Sequence, residues 1–493
     1  MRFCFPSGRC SLSFAGLALL VSACAHPPVA FSSNVVIVHS AMEPAAPLRS
    51  HVGVTSDTTP SLVRIDKEQD ILVRVRVRGL PIVGKKRPPL NLALVVDTSG
   101  SMEGTAIERA REACGTLLDL LSEGDAVSIV TFGSRAKVVV PSVRITKESR
   151  EKAKKAVKEL AAEGTTDMTA GLAEGLAQVR TKLTPDGIHR IVLVGDGVPN
   201  EAASVLALAD QAKAEHVPVT ALGLGNDFDE TLMTALAQRS TGTFHFVDDP
   251  ARVASVFKEQ ISRMERVVAR GARLELIPGP GVTITEVIGM PAVPNGRGRI
   301  AQLGDLAEGQ VRDIFVRVSA KGRQDGKSVE LIDVHVSSIP PEGGPELPAT
   351  AFVKLAASSD EERLKDATVV EIEHGATTLR VADGIVRSIA LARDGDLANA
   401  RKMLDLALRL AKEGEKKYSD KALGEKRVEM TKLRKSLPTL VPRPEARMRE
   451  VPSAGAPQTI VPKMPAAPMP SPADAMSVRA AHGNAMKDLQ GDP

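Results

Sequence analysis

Aromatic residues are scarce in this chain, and their scarcity argues against one class of partner. Among 493 residues there is no Trp and a single Tyr, and aromatic side chains make up only 2% of the sequence. Proteins that bind nucleic acid combine a basic stripe with aromatic rings on which bases stack. Here the formal net charge is only +4, and no basic stripe stands out. We therefore predict no nucleic-acid partner.

Cysteine is almost as rare, which leaves no internal disulfide in the predicted mature protein. Cys4 and Cys10 lie in a segment that reads as a signal peptide, and Cys24 is the predicted site of lipid attachment. Only Cys114 remains, so no second thiol is left to pair with it. Cys114 falls on an apolar stripe with helical spacing, which predicts a buried and unreactive side chain.

The first 23 residues have the pattern of a bacterial lipoprotein signal peptide. Arg2 and Arg9 precede an apolar run that is too short to span a membrane and that ends in small residues. The stretch "VSAC" resembles a lipobox, which implies cleavage before Cys24 and stable anchoring through lipid on its sulfur. Ala25, in place of Asp, favours the outer membrane. We expect a protein lipid-anchored in the bacterial cell envelope; the alternative is an ordinary signal peptide cleaved nearby.

Motifs of the common enzyme classes are also missing from the sequence. There is no H-E-x-x-H, no G-x-S-x-G and no G-x-x-x-x-G-K-[ST]. The stretch "GLGNDF" begins like a dinucleotide fingerprint, but Phe228 stands where the third Gly belongs. The nine His residues lack zinc-ligand spacing. We predict that the protein is not an enzyme, and a metal-dependent hydrolase remains the minor alternative.

What the chain does contain is a change of pattern that predicts an inserted domain. Residues 89–266 alternate continuous apolar runs with amphipathic helices, which is typical of a doubly wound, mostly parallel, Rossmann-like sheet. The flanks, 51–88 and 267–357, contain short alternating strands separated by Gly and Pro. We predict an α/β domain inserted into a β-sandwich that both flanks build.

One strand of the first flank has an unusual composition. In "DILVRVRVRGL", three valines alternate with Arg74, Arg76 and Arg78. A period of two predicts a strand with its valines buried and its arginines in solvent. An anion-binding stripe is the alternative.

The remaining segments are a tether, a helical region and a tail. Residues 24–50 contain several prolines and are predicted to tether the body to the membrane. Residues 358–440 form a small helical region, with an antiparallel hairpin that turns at Asp394-Gly395 and continues from an N-cap at Asp396. Residues 441–493 are rich in Pro, Ala and Met and are predicted to be a disordered tail.

Small oxygen-bearing side chains are concentrated in three loops of the predicted α/β domain. Asp97, Ser99 and Ser101 follow the first buried strand in "DTSGS". Thr166 lies in "EGTTDMTAGL", which opens a helix, and Asp196 ends another strand in "VLVGDGVPN". Doubly wound sheets place their sites in loops after the carboxyl ends of strands. We therefore expect these five side chains at one edge of the sheet.

These motifs, in this order, closely resemble the metal-ion-dependent adhesion site (MIDAS) of the von Willebrand factor A domain, over roughly residues 89–266. The family pattern is Asp-x-Ser-x-Ser, a separate Thr, and a separate Asp followed by Gly. The resemblance implies a divalent ion, Mg²⁺ with Mn²⁺ or Ca²⁺ as alternatives, and hard cations of this kind prefer oxygen ligands. It implies direct binding by the two serines and by Thr166 in the ligand-competent state, with Asp97 and Asp196 often bound through water. The carboxylate of a partner's Asp or Glu would complete the shell.

The sequence leaves several alternatives open. Ser99 or Ser101 could simply cap the helix that starts near Met102, or the ion could be structural and have no partner. Two functions therefore stand. The first is a divalent-metal-dependent protein-binding module displayed on the cell envelope. The second is an envelope scaffold or assembly subunit, in which the α/β domain is structural and the helical region and tail make the contacts. The sequence predicts no oligomeric state.

Overall fold

The central α/β domain is built on a six-stranded sheet. The computed structural model describes residues 50–65, 67–82, 84, 86–195, 202–224, 229–247, 252–365, 367–441 and 472–491. The strands of this sheet are β4 (Leu90–Asp97), β5 (Ala126–Phe132), β6 (Ala136–Arg144), β7 (Ile188–Gly195), β8 (Val219–Leu224) and β9 (Phe244–Val247). Their order is β6-β5-β4-β7-β8-β9, and every neighbouring pair is parallel except β5 and β6. The predicted doubly wound, mostly parallel sheet is confirmed.

Helices cover both faces of this sheet, which explains the continuous apolar runs. They are α1 (Thr105–Leu120), α2 (Lys147–Lys158), α3 (Met168–Arg180), α4 (Ala202–Ala214), α5 (Glu230–Arg239) and α6 (Val253–Glu265). On β4, Leu92 and Leu94 pack towards α1 and α6, whereas Ala93 and Val95 pack towards α3 and α5. Successive side chains point to opposite faces of a strand, so a strand covered on both faces must be apolar throughout.

Cys114 lies on the buried side of α1, as predicted. Burial raises the pKa of its thiol to about 12. The reactive thiolate is therefore hardly populated at neutral pH.

The flanking strands form the two sheets of a sandwich. They are β1 (Val52–Thr59), β2 (Leu62–Arg64), β3 (Gln69–Gly79), β10 (Val267–Pro278), β11 (Thr283–Ile288), β12 (Ala292–Asn295), β13 (Gly298–Ala307), β14 (Val311–Ala320), β15 (Ser328–Ile339) and β16 (Leu347–Ser358). One sheet has the order β1-β3-β14-β11 and the other β12-β13-β10-β15-β16-β2. Strands from before and after the α/β domain occur in both sheets, which confirms the insertion.

A helical region follows the sandwich. It contains α7 (Glu361–Lys365), α8 (Val370–Arg393), α9 (Leu397–Tyr418) and α10 (Lys421–Ser436). The hairpin of α8 and α9 turns at Asp394-Gly395, and the Asp396 carboxylate accepts a hydrogen bond from the Asn399 N–H, as an N-cap does. A third helix, α10, packs on α9 and buries Leu423, Met430 and Leu433.

The prediction of disorder throughout 441–493 is wrong for the end of the chain. Residues Pro472–Gln490 form a helix, α11, which packs against α8, α10 and β9. Its buried side chains include Val478, Ala481 and Ala485. Because these side chains are small, they do not form a strong apolar stripe in the sequence. They are buried by packing against elements that lie far away in sequence.

The prediction that the β3 arginines lie in solvent is wrong for Arg74. The three valines of β3 are fully buried, as expected, but Arg74 is only 7% exposed. Its guanidinium pairs with Asp57 of β1 and with Glu371 of α8, which lies over this face of the sheet. Arg76 pairs with Asp313 of β14 at 2.7 Å. A cross-strand ion pair and a covering helix have replaced solvent around Arg74, whereas Arg78 is exposed, as predicted.

Some predictions fall outside the described residues. The signal peptide, Cys24 and nearly all of the tether lie before residue 50. Within the part of the chain that the structure describes, no helix is both long and apolar enough to cross a membrane.

Candidate metal centre

Asp97 is the last residue of β4, and its side chain is fully buried. Its Oδ1 accepts a hydrogen bond from the Ser99 N–H at 2.8 Å, so the chain turns back over the carboxylate directly after the strand. The Thr98 N–H donates to the Phe132 carbonyl at the end of β5 at 2.8 Å. These two bonds fix the loop to the carboxyl edge of two neighbouring strands.

Ser99 and Ser101 bring their hydroxyl groups together within this loop. The two Oγ atoms are 3.0 Å apart and share a hydrogen bond in which either hydroxyl can donate, and the backbone between them enters a single 3₁₀ turn at Gly100–Met102. Ser99 makes no capping hydrogen bond through its side chain, and the N-cap of α1 is Gly104. The alternative in which Ser99 caps the following helix through its side chain therefore lacks support.

The separation of the two hydroxyls fits the shell of a small divalent cation. Mg²⁺ binds oxygen at about 2.0–2.1 Å in octahedral geometry, so adjacent ligands lie about 3 Å apart. The Ser99–Ser101 distance of 3.0 Å agrees with two adjacent positions. Nowhere in the described residues do three or more His, Cys, Asp or Glu side chains form a group that could hold a metal. Among the described residues, the candidate ligands at the β4 tip are therefore hydroxyl oxygens and the single carboxylate of Asp97.

The loop that carries Thr166 is bonded to the β4 loop through its backbone. The Gly100 N–H donates to the Gly164 carbonyl at 3.0 Å, and the Glu163 N–H donates to the Thr98 carbonyl at 2.6 Å. These bonds bring the segment of half-buried Thr166 to the same edge as the two serines.

Asp167, the next residue, has a different role from Thr166. Its Oδ1 accepts from the Ala170 N–H at 2.9 Å and caps α3. Its own N–H donates to the Gly133 carbonyl at 2.8 Å, which attaches this loop to the end of β5 as well. Because its carboxylate is already engaged at the helix terminus, Thr166 is the candidate ligand from this loop.

Two glycines that sequence reasoning missed make this arrangement sterically feasible. A Cβ at Gly195, the last residue of β7, would lie 2.9 Å from the Asp97 Cβ and 3.0 Å from its Oδ2. A Cβ at Gly133, just after β5, would lie 2.6 Å from the Glu163 carbonyl oxygen. Gly133 directly follows a buried strand, and Gly195 is the last residue of one. Their position at the ends of buried strands is the feature of the sequence that could have identified them.

The structure thus brings together four of the five predicted metal-site positions. Asp97, Ser99 and Ser101 share one turn, and the loop of Thr166 is hydrogen-bonded to it. Asp196 lies outside the described residues, directly after Gly195, which contacts Asp97. The proposed role of Asp196 therefore stays a prediction.

Comparisons with known proteins identify the domain family that this part of the chain resembles. The family model of the von Willebrand factor type A domain matches residues 91–259. An uncharacterized protein of Synechocystis is 30% identical over 47% of this chain and 58% of its own length. An inter-alpha-trypsin inhibitor heavy chain of Mus musculus is 24% identical over 40% of this chain and 22% of its own. The matched part of this chain therefore spans 58% of the length of the first relative and 22% of the length of the second.

Among solved structures, a von Willebrand factor type A protein from Catenulispora acidiphila is similar in fold. It has a TM-score of 0.63 and 20% identity, and the match covers 78% of this chain and 90% of that one. The family often mediates protein interactions and adhesion, and its members commonly bind a divalent metal at the MIDAS. Residues 91–259 of this chain form a von Willebrand factor type A domain.

Proposed function

We propose that this protein is a divalent-metal-dependent protein-binding module displayed on the bacterial cell envelope. The observation that carries the proposal is the pair of hydroxyls of Ser99 and Ser101, 3.0 Å apart at the tip of β4, in the same turn as the buried carboxylate of Asp97. Asp97, Thr166 and Asp196 would complete the protein's share of the site. The envelope location rests on the predicted signal peptide and on lipid attachment at Cys24.

The choice of ligands determines what the site can do. Serine and threonine hydroxyls are neutral, so they bind a cation without cancelling its charge. Bound there, Mg²⁺ would offer a position at which a carboxylate oxygen of a partner protein can bind. Asp97 is held by the Ser99 N–H and packed against Gly195, so its carboxylate is oriented before any metal binds. A partner with an exposed Asp or Glu is the class of ligand that such a site selects.

Calorimetric titration of Mg²⁺ and Mn²⁺ tests the metal site. The sample is the chain from Ala25, beside the double variant S99A/S101A, with thermal unfolding measured in parallel. Metal at about 100 times its Kd should stabilise the wild type by about 2.7 kcal/mol, and the double variant should show neither heat nor stabilisation.

Thr116→Ala is the matched control, because this hydroxyl lies on α1 and donates to the Glu112 carbonyl, away from the β4 tip. It should respond to metal as the wild type does. Equal responses of S99A/S101A and the wild type would refute the proposed site.

The scaffold function keeps one specific observation in its favour. Arg393 at the end of α8 pairs with Glu230 of α5, which is fully buried, at 2.5 Å, so the helical region is fixed to the α/β domain. A pulldown distinguishes the two functions: partners lost from S99A/S101A support metal-dependent binding, and unchanged partners support the scaffold. Deleting the helical region is unsuitable for this test, because it would leave Glu230 without its arginine.

A further inference from the structure

Positive charge is concentrated in α9 and α10. Between Leu397 and Ser436 there are 12 Lys and Arg against six Asp and Glu, a net charge of +6. The whole chain carries only +4, so the remainder is slightly acidic. Along the sequence, acidic residues lie between these cations and hide the pattern. The cations and the carboxylates come to lie on different faces only when the segment is helical.

The exposed side of α9 collects five of these cations. At 100° per residue they fall within a single arc of about 100°, and they extend over about 23 Å of helix. All five side chains belong to exposed residues, and none forms an ion pair with another residue that the structure describes. We name this set the α9 basic face: Arg401, Lys402, Arg409, Lys412 and Lys416.

The cations that lie between the helices are neutralised in the fold. Lys417 pairs with Glu373 of α8 at 2.5 Å, and Arg427 of α10 pairs with Glu415 at 2.8 Å. Asp405, the one carboxylate within the arc of the α9 basic face, pairs with Arg434 of α10 at 2.8 Å. Among the described residues, these ion pairs therefore engage Asp405 but not the five outer cations; exposed Glu413 lies just outside the arc, next to Lys412.

Two exposed apolar side chains accompany this charge. Leu406 at the edge of the α9 basic face is 44% exposed, and Val428 on the outer side of α10 is 50% exposed. Lys421, Lys432 and Lys435 are exposed on the same side of α10 as Val428. A helix surface with many cations and a few apolar side chains is typical of segments that lie at a membrane interface.

We propose that the α9 basic face binds the surface of an anionic phospholipid membrane. The face is the convex side of a helix and carries no aromatic residue, so it lacks the anchors that usually dominate protein–protein interfaces. Attraction to an anionic bilayer needs no pocket and increases with each added Lys or Arg. The inference does not need the predicted lipid anchor at Cys24.

Vesicle co-sedimentation tests this proposal. The sample is the chain from Ala25, which retains the whole compact unit of residues 38–493, with phosphatidylcholine vesicles that contain or lack phosphatidylglycerol. We expect binding only to the anionic vesicles and loss of binding at high salt. Neutralising four members of the face should weaken the partition coefficient at least about 100-fold: R401Q, K402Q, R409Q and K412Q.

A matched control has the same change in charge on a different helix. Four exposed lysines of α2 are replaced, where Glu148 and Glu151 alternate with them: K147Q, K152Q, K155Q and K158Q. This control should bind anionic vesicles nearly as the wild type does. Thermal unfolding of both variants checks that each is folded.

Three results would overturn the proposal: no binding of the wild type to anionic vesicles, equal loss in the α9 and α2 variants, or binding to polyglutamate but not to vesicles. The last result would assign the face to an acidic protein. Metal titration of the α9 variant keeps the test separate from the metal site, because this variant should respond to Mg²⁺ like the wild type whether or not the lipid proposal holds.

Discussion

A single missing Cβ atom shapes the candidate metal centre. Gly195→Ala would place a methyl group 2.9 Å from the Asp97 Cβ and 3.0 Å from Oδ2, closer than real contacts allow. Both residues belong to packed neighbouring strands, so the carboxylate must shift and lose its bond to the Ser99 N–H. We expect a loss of about 1–3 kcal/mol in the free energy of unfolding and at least about tenfold weaker metal binding, measured by urea unfolding and by calorimetry.

Gly115→Ala is the control for this substitution. Gly115 lies in the middle of α1 with nothing within 4 Å of the position of an added Cβ. Alanine there should stabilise the protein by about 0.5–1 kcal/mol, because glycine is the poorer helix former. If Gly195→Ala instead left both stability and metal binding unchanged, the packing of Gly195 against Asp97 would have no role in the site.

At this scale the sequence predicts ligand types better than their roles. "DTSGS" gives a carboxylate and three hydroxyls after a strand, but the same spacing is compatible with a helix N-cap. The lack of a side-chain capping bond at Ser99, together with Gly104 as the N-cap of α1, separates the two interpretations for Ser99. Likewise, Asp167 and Thr166 are adjacent in sequence, and a hydrogen bond to the Ala170 N–H is what assigns Asp167 to α3.

Among the elements, α11 has the least expected position. It lies against β9, the last strand of the α/β sheet, and Gly483 allows close approach, since a Cβ there would lie 3.0 Å from the Phe246 Cβ. Ala481→Asp would bury a charge at a fully buried position and should detach α11. We expect increased amide hydrogen exchange in residues 472–491 and in β9, detected by mass spectrometry.

Met476→Asp is the matched control on the same helix. Met476 is 41% exposed, so a carboxylate there remains in water and should leave amide exchange unchanged. Equal exchange in Ala481→Asp and Met476→Asp would mean that the packing of α11 does not protect β9.

His482 makes the stability of α11 depend on pH. Burial lowers the pKa of this imidazole to about 3, with a further lowering by Arg393 and a small opposing effect of Asp229. The ring packs edge-on against Phe244 of β9 at 5.7 Å between centroids. In the unfolded chain the pKa is about 6.5, so below that pH the unfolded state binds a proton that the folded state does not. Stability from neutral His482 is therefore fully present above about pH 6.5 and falls as the solution becomes more acidic.

Urea unfolding as a function of pH measures this effect. Between about pH 7.5 and about pH 5 the wild type should lose about 2 kcal/mol more than His482→Phe, which keeps a ring against Phe244 but cannot be protonated. The difference between the two proteins removes the contribution of carboxylates common to both. Parallel pH profiles would show that His482 is not buried as a neutral group.

The elements differ in how well their sequences predict them. The strands β4, β5 and β7 are continuous apolar runs, and their burial on both faces follows from the alternation with helices. In α11, by contrast, the buried residues Val478, Ala481 and Ala485 are small and stand in a segment that follows a Pro-rich stretch. The burial of Arg74 could not be predicted either, because Glu371, its partner on α8, lies 297 residues away.

At the scale of the whole molecule, ion pairs of long sequence separation fix the inserted domain to its surroundings. Arg87, just before β4, binds both Asp125 of the α/β domain and Glu265 at the end of α6, at 2.7 Å each. Arg190 of β7 pairs with Asp305 of β13 at 2.7 Å, across the junction with the sandwich. The sequence predicts the insertion but not these pairs, because nothing local in a strand identifies a charged partner that lies 38 to 178 residues away.

The Arg190–Asp305 pair allows a test of how tightly the two bodies are joined. Asp305 is 14% exposed and also accepts a hydrogen bond from the Gly271 N–H at 2.9 Å, and Arg190 is 8% exposed. Asp305→Asn leaves a buried guanidinium without its counter-ion, which costs about 3–5 kcal/mol. Calorimetry should then resolve the α/β domain and the sandwich as separate, earlier transitions, whereas Glu308→Gln, an exposed change on the following turn, should preserve the wild-type profile. If Asp305→Asn instead melts with the wild-type profile, apolar contacts hold the junction together. The ion pair would then orient the strands without being needed for their association.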